Sequence, residues 1–226
     1  MVAIPGFLSS ILGFFSPILG ILRSQQLQSA SEQHLDDVGA IMDDNYYKRD
    51  IVIAGKKMSL SSYAREQINA VRDIGHIAWL GGPAVAKFAS SHLMEFNRIL
   101  LNDDSSVELK KQTLHSIIEV CVGTADNQDK ARWNGLLETL YILLDSRLSV
   151  LRRGATACLV VLVNENYANH VAVVNVDNIK QKLLKILHDD WRAWKSNEAA
   201  RLILMLGLNR TYEKDGGNVV TRVGKD

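Results

Sequence analysis

A period of about 43 residues constrains this chain more than any motif in it. Three stretches end alike: "RILLND" (Arg98–Asp103), "YILLDS" (Tyr141–Ser146) and "KILHDD" (Lys185–Asp190). Their isoleucines, Ile99, Ile142 and Ile186, lie 43 and 44 residues apart. A second series, "REQINAVRDIGHIAW", "KKQTLHSIIEVCVG", "RRGATACLVVLVNE" and "KSNEAARLILMLGL", begins at Arg65, Lys110, Arg152 and Lys195, with offsets of 45, 42 and 43. Two independent landmarks keep one spacing. A unit of this length cannot bury its own apolar face, so it must stack on its neighbours.

Each unit reads as two helices. In the second unit Leu114, Ile117, Ile118 and Cys121 fall at i, i+3, i+4 and i+7, one apolar helix face. Its partner, "WNGLLETLYILLD", places Leu136, Leu137, Leu140, Leu143 and Leu144 on another. Between them "GTADNQDKAR" (Gly123–Arg132) offers a glycine stop and polar turn residues. The acidic joints between units, with Asp104, Ser105, Ser146 and Asp190, read as helix caps, since they recur at every boundary without a histidine partner. "GGP" (Gly81–Pro83) reads as a helix stop followed by a proline start. Trp191 to Leu208 reads as one long final helix and Glu213–Asp226 as a polar tail, mobile or held by a partner. No proline follows Pro83, which suits helices throughout.

The pattern resembles the armadillo and HEAT families of helical repeats, over about Ser59 to Leu208. "IGHIA" (Ile74–Ala78) is similar to the end-of-helix consensus of armadillo repeats. "IGHIAWLGGPAVAKFA" (Ile74–Ala89) resembles, more specifically, the small armadillo-like helical domain-containing proteins. The fold expected from this resemblance is all-α: a right-handed armadillo/HEAT-like solenoid of about 3–4 repeats with an N-terminal hydrophobic helix. Peptide-binding armadillo proteins carry a ladder of asparagines along their groove. The corresponding positions here are His76, Glu119, Val161 and about Leu204, none of them asparagine. The resemblance therefore does not imply capture of an extended peptide.

Composition narrows the function classes. Net charge is +1, which gives no nucleic-acid footprint. Cys121 and Cys158 sit inside apolar runs and read as buried thiols in a reducing compartment. No phosphate loop, dinucleotide fingerprint, nucleophile elbow or zinc spacing occurs, and the six histidines are scattered. The expectation is a protein without enzymatic activity, cofactor, metal, nucleic-acid partner or small-molecule substrate.

Two features point to partners. Lys110–Lys111 and Arg152–Arg153 occupy equivalent places in successive units, with Lys195 in the next and Arg192 close by. In a stack they would align into a basic stripe facing an acidic partner, or they are simply solvated helix starts. The second feature is "IPGFLSSILGFFSPILGIL" (Ile4–Leu22), nineteen residues without a charge. Small residues recur along one side of a helical wheel. Phe7, Leu8, Ile11, Leu12, Phe14, Phe15, Ile18, Leu19 and Leu22 fill the rest. Such a segment spans a bilayer, lies in its interface, or packs on protein.

The organisation expected is a hydrophobic anchor (1–24), a helical cap or linker (25–58), armadillo-like repeats (59–208) and a polar tail (209–226). The expected role is a scaffold or structural subunit of a larger, membrane-associated protein complex, on the cytoplasmic face of a membrane. The alternative is a soluble adaptor that binds an acidic partner through the basic stripe, in a ciliary or cytoskeletal assembly.

Overall fold

The computed structural model describes residues 36–194, 196–215 and 218–223, with side chains from Tyr46 to Asn209 other than Lys195. Helix α1 (Asp36–Leu60) comes first. Then come three units of one long and two short helices. They are α2 (Ala64–Leu80), α3 (Gly82–Ala89) and α4 (Leu93–Leu101); α5 (Val107–Cys121), α6 (Ala125–Trp133) and α7 (Leu136–Leu143); and α8 (Ser149–Val163), α9 (Tyr167–Val174) and α10 (Ile179–Ile186). Helix α11 (Glu198–Met205) begins a fourth unit, and an antiparallel hairpin follows, β1 (Arg210–Asp215) with β2 (Asn218–Val223). An all-helical repeat fold is what the sequence pattern required, and the hairpin is an addition to it.

The unit has three helices, not two. The stretch expected as a polar turn, Gly123–Arg132, contains α6. Two of its polar residues are inside: Asn127 and Gln128 are buried. Asn127 Nδ2 donates to the Val120 carbonyl at 2.7 Å, and Gln128 Nε2 to that of Val161 at 3.0 Å. The next unit repeats the device, with Asn169 Nδ2 donating to Leu162 O at 2.8 Å. Each amide satisfies a carbonyl near the end of a long helix, where intrahelical donors run out. Position 135 shows the same regularity. In the second and third units the turn into the last helix takes a left-handed residue, supplied by Gly135 (φ 75°) and, 43 residues on, by Asn178 (φ 61°).

The caps also differ from expectation. Ser106 caps α5, accepting from Leu109 N at 3.2 Å, and Asn166 and Asn197 cap α9 and α11. Asp104 and Ser105 lie in the turn before α5. Ser146 and Asp190 accept from Leu148 N and Arg192 N within loops, so their oxygens close turns instead. Trp191 to Leu208 is not one helix. The Trp191 indole donates to Ile186 O at 3.0 Å and meets the Trp194 ring edge-on at 5.6 Å, which holds a corner ahead of α11.

The first helices of successive units pack on one another along the stack, α2 on α5, α5 on α8 and α8 on α11. Small residues set the approach. Ser116 Oγ donates to Val71 O at 2.8 Å across α2 and α5. Cys158 Sγ donates to Leu114 O at 3.1 Å across α5 and α8. The donors are 42 residues apart and the acceptors 43, so this is one bond made twice. At Gly75 a Cβ would lie 2.7 Å from the Ser116 Cα. Backbone cannot yield there as a side chain could. Gly75→Ala is therefore expected to cost about 2 kcal/mol despite the better helix propensity of alanine, read as a lower midpoint in thermal unfolding.

A candidate interaction surface

The basic stripe does not survive as a row of free cations. Arg152 is half-buried and bidentate on Asp189, with Nη2 to Oδ1 at 2.5 Å and Nε to Oδ2 at 3.0 Å; its Nη1 also donates to Ser146 O. It ties α8 to the end of α10. Arg192 pairs with Asp190 at 2.7 Å, and that pairing holds the Asp190 carboxyl well below the usual carboxylate range. Lys111 pairs with Glu108 at 3.2 Å. Lys110 is partly exposed. Arg153 is partly buried, and its Nε lacks a hydrogen-bond partner. Lys195 lies outside the described residues, and so do Phe7, Leu8, Ile11, Leu12, Phe14, Phe15, Ile18, Leu19 and Leu22. Among the described residues no helix is long and apolar enough to cross a membrane.

The positions of the asparagine ladder are diverse in environment. Val161 is fully buried, whereas Leu204 is 62% exposed on α11. Glu119 is enclosed. Its Oε2 rests over Gly75, where a Cβ would come within 2.5 Å of it, and has no hydrogen-bond partner. His115 Nδ1 is 3.9 Å away, and Gln112 Nε2 is 3.3 Å from the same nitrogen. Burial raises Glu119 to about 8. Burial first, then the charges of His76 and Lys111, lowers His115 to about 4. At this distance an ion pair would be the simple reading, but at neutral pH desolvation leaves both groups uncharged.

Between α6 and α9 lies a polar network that sequence reasoning missed. Asn169 Nδ2 donates to Gln128 O at 3.1 Å as well as to Leu162 O, and Asn169 Oδ1 accepts from Arg132 Nε at 2.8 Å. Asp129 Oδ1 accepts from Asn166 Nδ2 and Arg132 Nη2, each at 3.1 Å; those bonds lower the pKa of Asp129. The signal was available: Asn127 and Asn169 are 42 residues apart, in step with the repeat.

The surface most suited to a partner is apolar. A cleft of about 270 Å³ opens between α7 and the α9–α10 corner, lined by Leu137, Tyr141, Ile142, Val173, Val176 and Ile179. Ile142 is 61% exposed there. One wall is braced: the Tyr141 hydroxyl donates to Asp177 O at 2.5 Å, and Lys182 Nζ lies 3.7 Å from the Tyr141 ring centroid while pairing with Asp145. Ile142 was a landmark of the repeat, and it is the one landmark isoleucine that the fold leaves in solvent. Apolar side chains at a rigid, partly open cleft are the usual anchor for a protein partner.

Comparison with known proteins agrees with this architecture. No curated protein and no solved structure matches the chain. The sequence model of the family described as armadillo-like helical domain-containing protein 2 matches residues 27–210, which span every helix from α1 to α11. The chain therefore belongs to the armadillo-like helical domain-containing protein 2 family.

Proposed function

We propose that this protein is a non-enzymatic scaffold subunit of a larger, membrane-associated assembly. Armadillo-like helical domains serve protein–protein interaction and are typically non-catalytic. The observation that carries the reading is the contrast between the joints and the surface. Ser116, Asn127, Gln128, Cys158 and Asn169 bond to backbone carbonyls at the joints, while Trp133, Ile142, Tyr167 and Leu204, each more than 60% exposed, face outward. A stack locked this way holds its exposed apolar groups at fixed spacing, which suits it to carry other proteins.

Membrane association rests on Ile4–Leu22 and on the cost of leaving that run in water. Full-length protein is expected to sediment with membranes and with its native complex, whereas a chain of residues 25–226 stays in the supernatant. Equal partition of the two would overturn this part of the proposal. The adaptor reading, with an acidic partner on the basic stripe, draws less support, because Arg152, Arg192 and Lys111 already hold carboxylates of the same chain.

A further inference from the structure

The hairpin that ends the described chain is two strands alone. Its strands pair Arg210 with Val223 through Asp215 with Asn218, and among the described residues no helix lays a packed face on it. A two-stranded hairpin is marginal in water and exposes a free backbone edge on each side. The two edges are unlike. Strand β1, "RTYEKD", carries four charged residues in six. Strand β2, "NVVTRV", carries one, Arg222, among the β-branched Val219, Val220, Thr221 and Val223. Charge on an edge strand resists pairing and a β-branched run favours it.

We propose that β2 is a homotypic docking edge, through which two copies of this chain join β2 to β2 in a four-stranded antiparallel sheet. The register supplies the geometry. Asp215 and Asn218 close the hairpin, with Gly216 and Gly217 between them in the sequence. In a two-residue connection the closing residues bond across to each other, and the ladder alternates from there. Val219, Thr221 and Val223 then turn their backbone N–H and C=O away from β1, toward the open edge. A two-fold axis at Thr221 sets Thr221 opposite Thr221 and Val219 opposite Val223 of the second copy. All three outward residues find partners. Arg222 falls opposite Val220, so the two arginines are not opposed. Centring the axis on Val220 would leave Val223 without a partner.

The proposal is independent of the scaffold reading, because it concerns what one copy does with another. The test is the mass of the full chain in mild detergent by analytical ultracentrifugation. The unmodified chain is expected to be a dimer. Thr221→Pro removes an outward N–H that the hairpin itself does not use, and is expected to give a monomer. Tyr212→Pro, the matching change on the β1 edge, is expected to leave the dimer intact. A monomeric unmodified chain, a dimer that survives Thr221→Pro, or equal loss with Tyr212→Pro would each overturn it.

Discussion

Asn169→Ala is expected to lower the stability of the folded chain by about 3 kcal/mol, one of the largest losses open to a single polar substitution here. Asn169 is fully buried, and its amide uses both donors and its oxygen: Gln128 O, Leu162 O and Arg132 Nε. Alanine leaves the Leu162 carbonyl, at the C-terminal end of α8, without a donor in a place water does not reach, and removes the tie from α9 to Gln128 O in α6; an unsatisfied buried group costs about 1–3 kcal/mol. The guanidinium of Arg132 is partly exposed and recovers its lost bond from solvent. Asn169→Asp is expected to do no better, since it turns both donors into acceptors facing carbonyls. Asn127→Ala removes a single side-chain bond, to Val120 O, and is expected to cost roughly half as much. Urea unfolding of the three variants reads the order directly. Equal losses at positions 127 and 169 would show that the carbonyls, not the inter-helix network, set the effect.

That network also marks what the sequence showed and what it hid. The stack was legible because buried leucines and isoleucines recur at one period: Leu114, Ile117 and Ile118 fill α5 as the helical spacing requires. Its phase was less legible. "RILLND" and "YILLDS" match letter for letter at their isoleucines, yet Ile99 is buried and Ile142 is exposed. By burial Ile99 corresponds to Leu143 and Leu100 to Leu144, one residue later, because the face of the helix and not the word decides the register. Helix α6 was hidden for a different reason. "ADNQDKARW" has almost no apolar side, and besides Ala131 what it buries is two amides bonded to other helices' carbonyls. Hydrophobic periodicity cannot report a face of that kind. The pairing within the basic stripe was hidden in the same way, since Asp189, which takes Arg152, is 37 residues away and on no common helix. The hairpin was spelled by two glycines between strand-capable runs, a signal easily lost among the charges of a polar tail.

Glu119→Gln is expected to change how stability depends on pH. The unfolded chain ionises Glu119 near its ordinary 4.5, whereas the folded chain holds the proton up to about 8. Between those values the folded state carries a proton that the unfolded state has lost, so this group's contribution falls as pH rises from about 4.5 to about 8. His115 runs the other way. Its folded pKa is about 4 against an ordinary 6.5, so its contribution is complete above 6.5 and lost as pH falls toward 4. The two slopes offset each other between about 4.5 and 6.5, and the contribution of Glu119 alone changes from about 6.5 to 8. Glutamine keeps the shape of the neutral acid and cannot ionise over Gly75. His115, and the His76 and Lys111 charges that act on it, are unchanged by the substitution. Variant and parent are expected to be equally stable near pH 4.5, with the variant ahead by on the order of 2–4 kcal/mol at about pH 9. The difference between the two stability curves cancels every other titration in the molecule. If that difference stays flat across the range, Glu119 is ionised in the folded state and the joint between α2 and α5 accommodates its charge. If it rises as expected, that joint tightens as Glu119 takes up its proton.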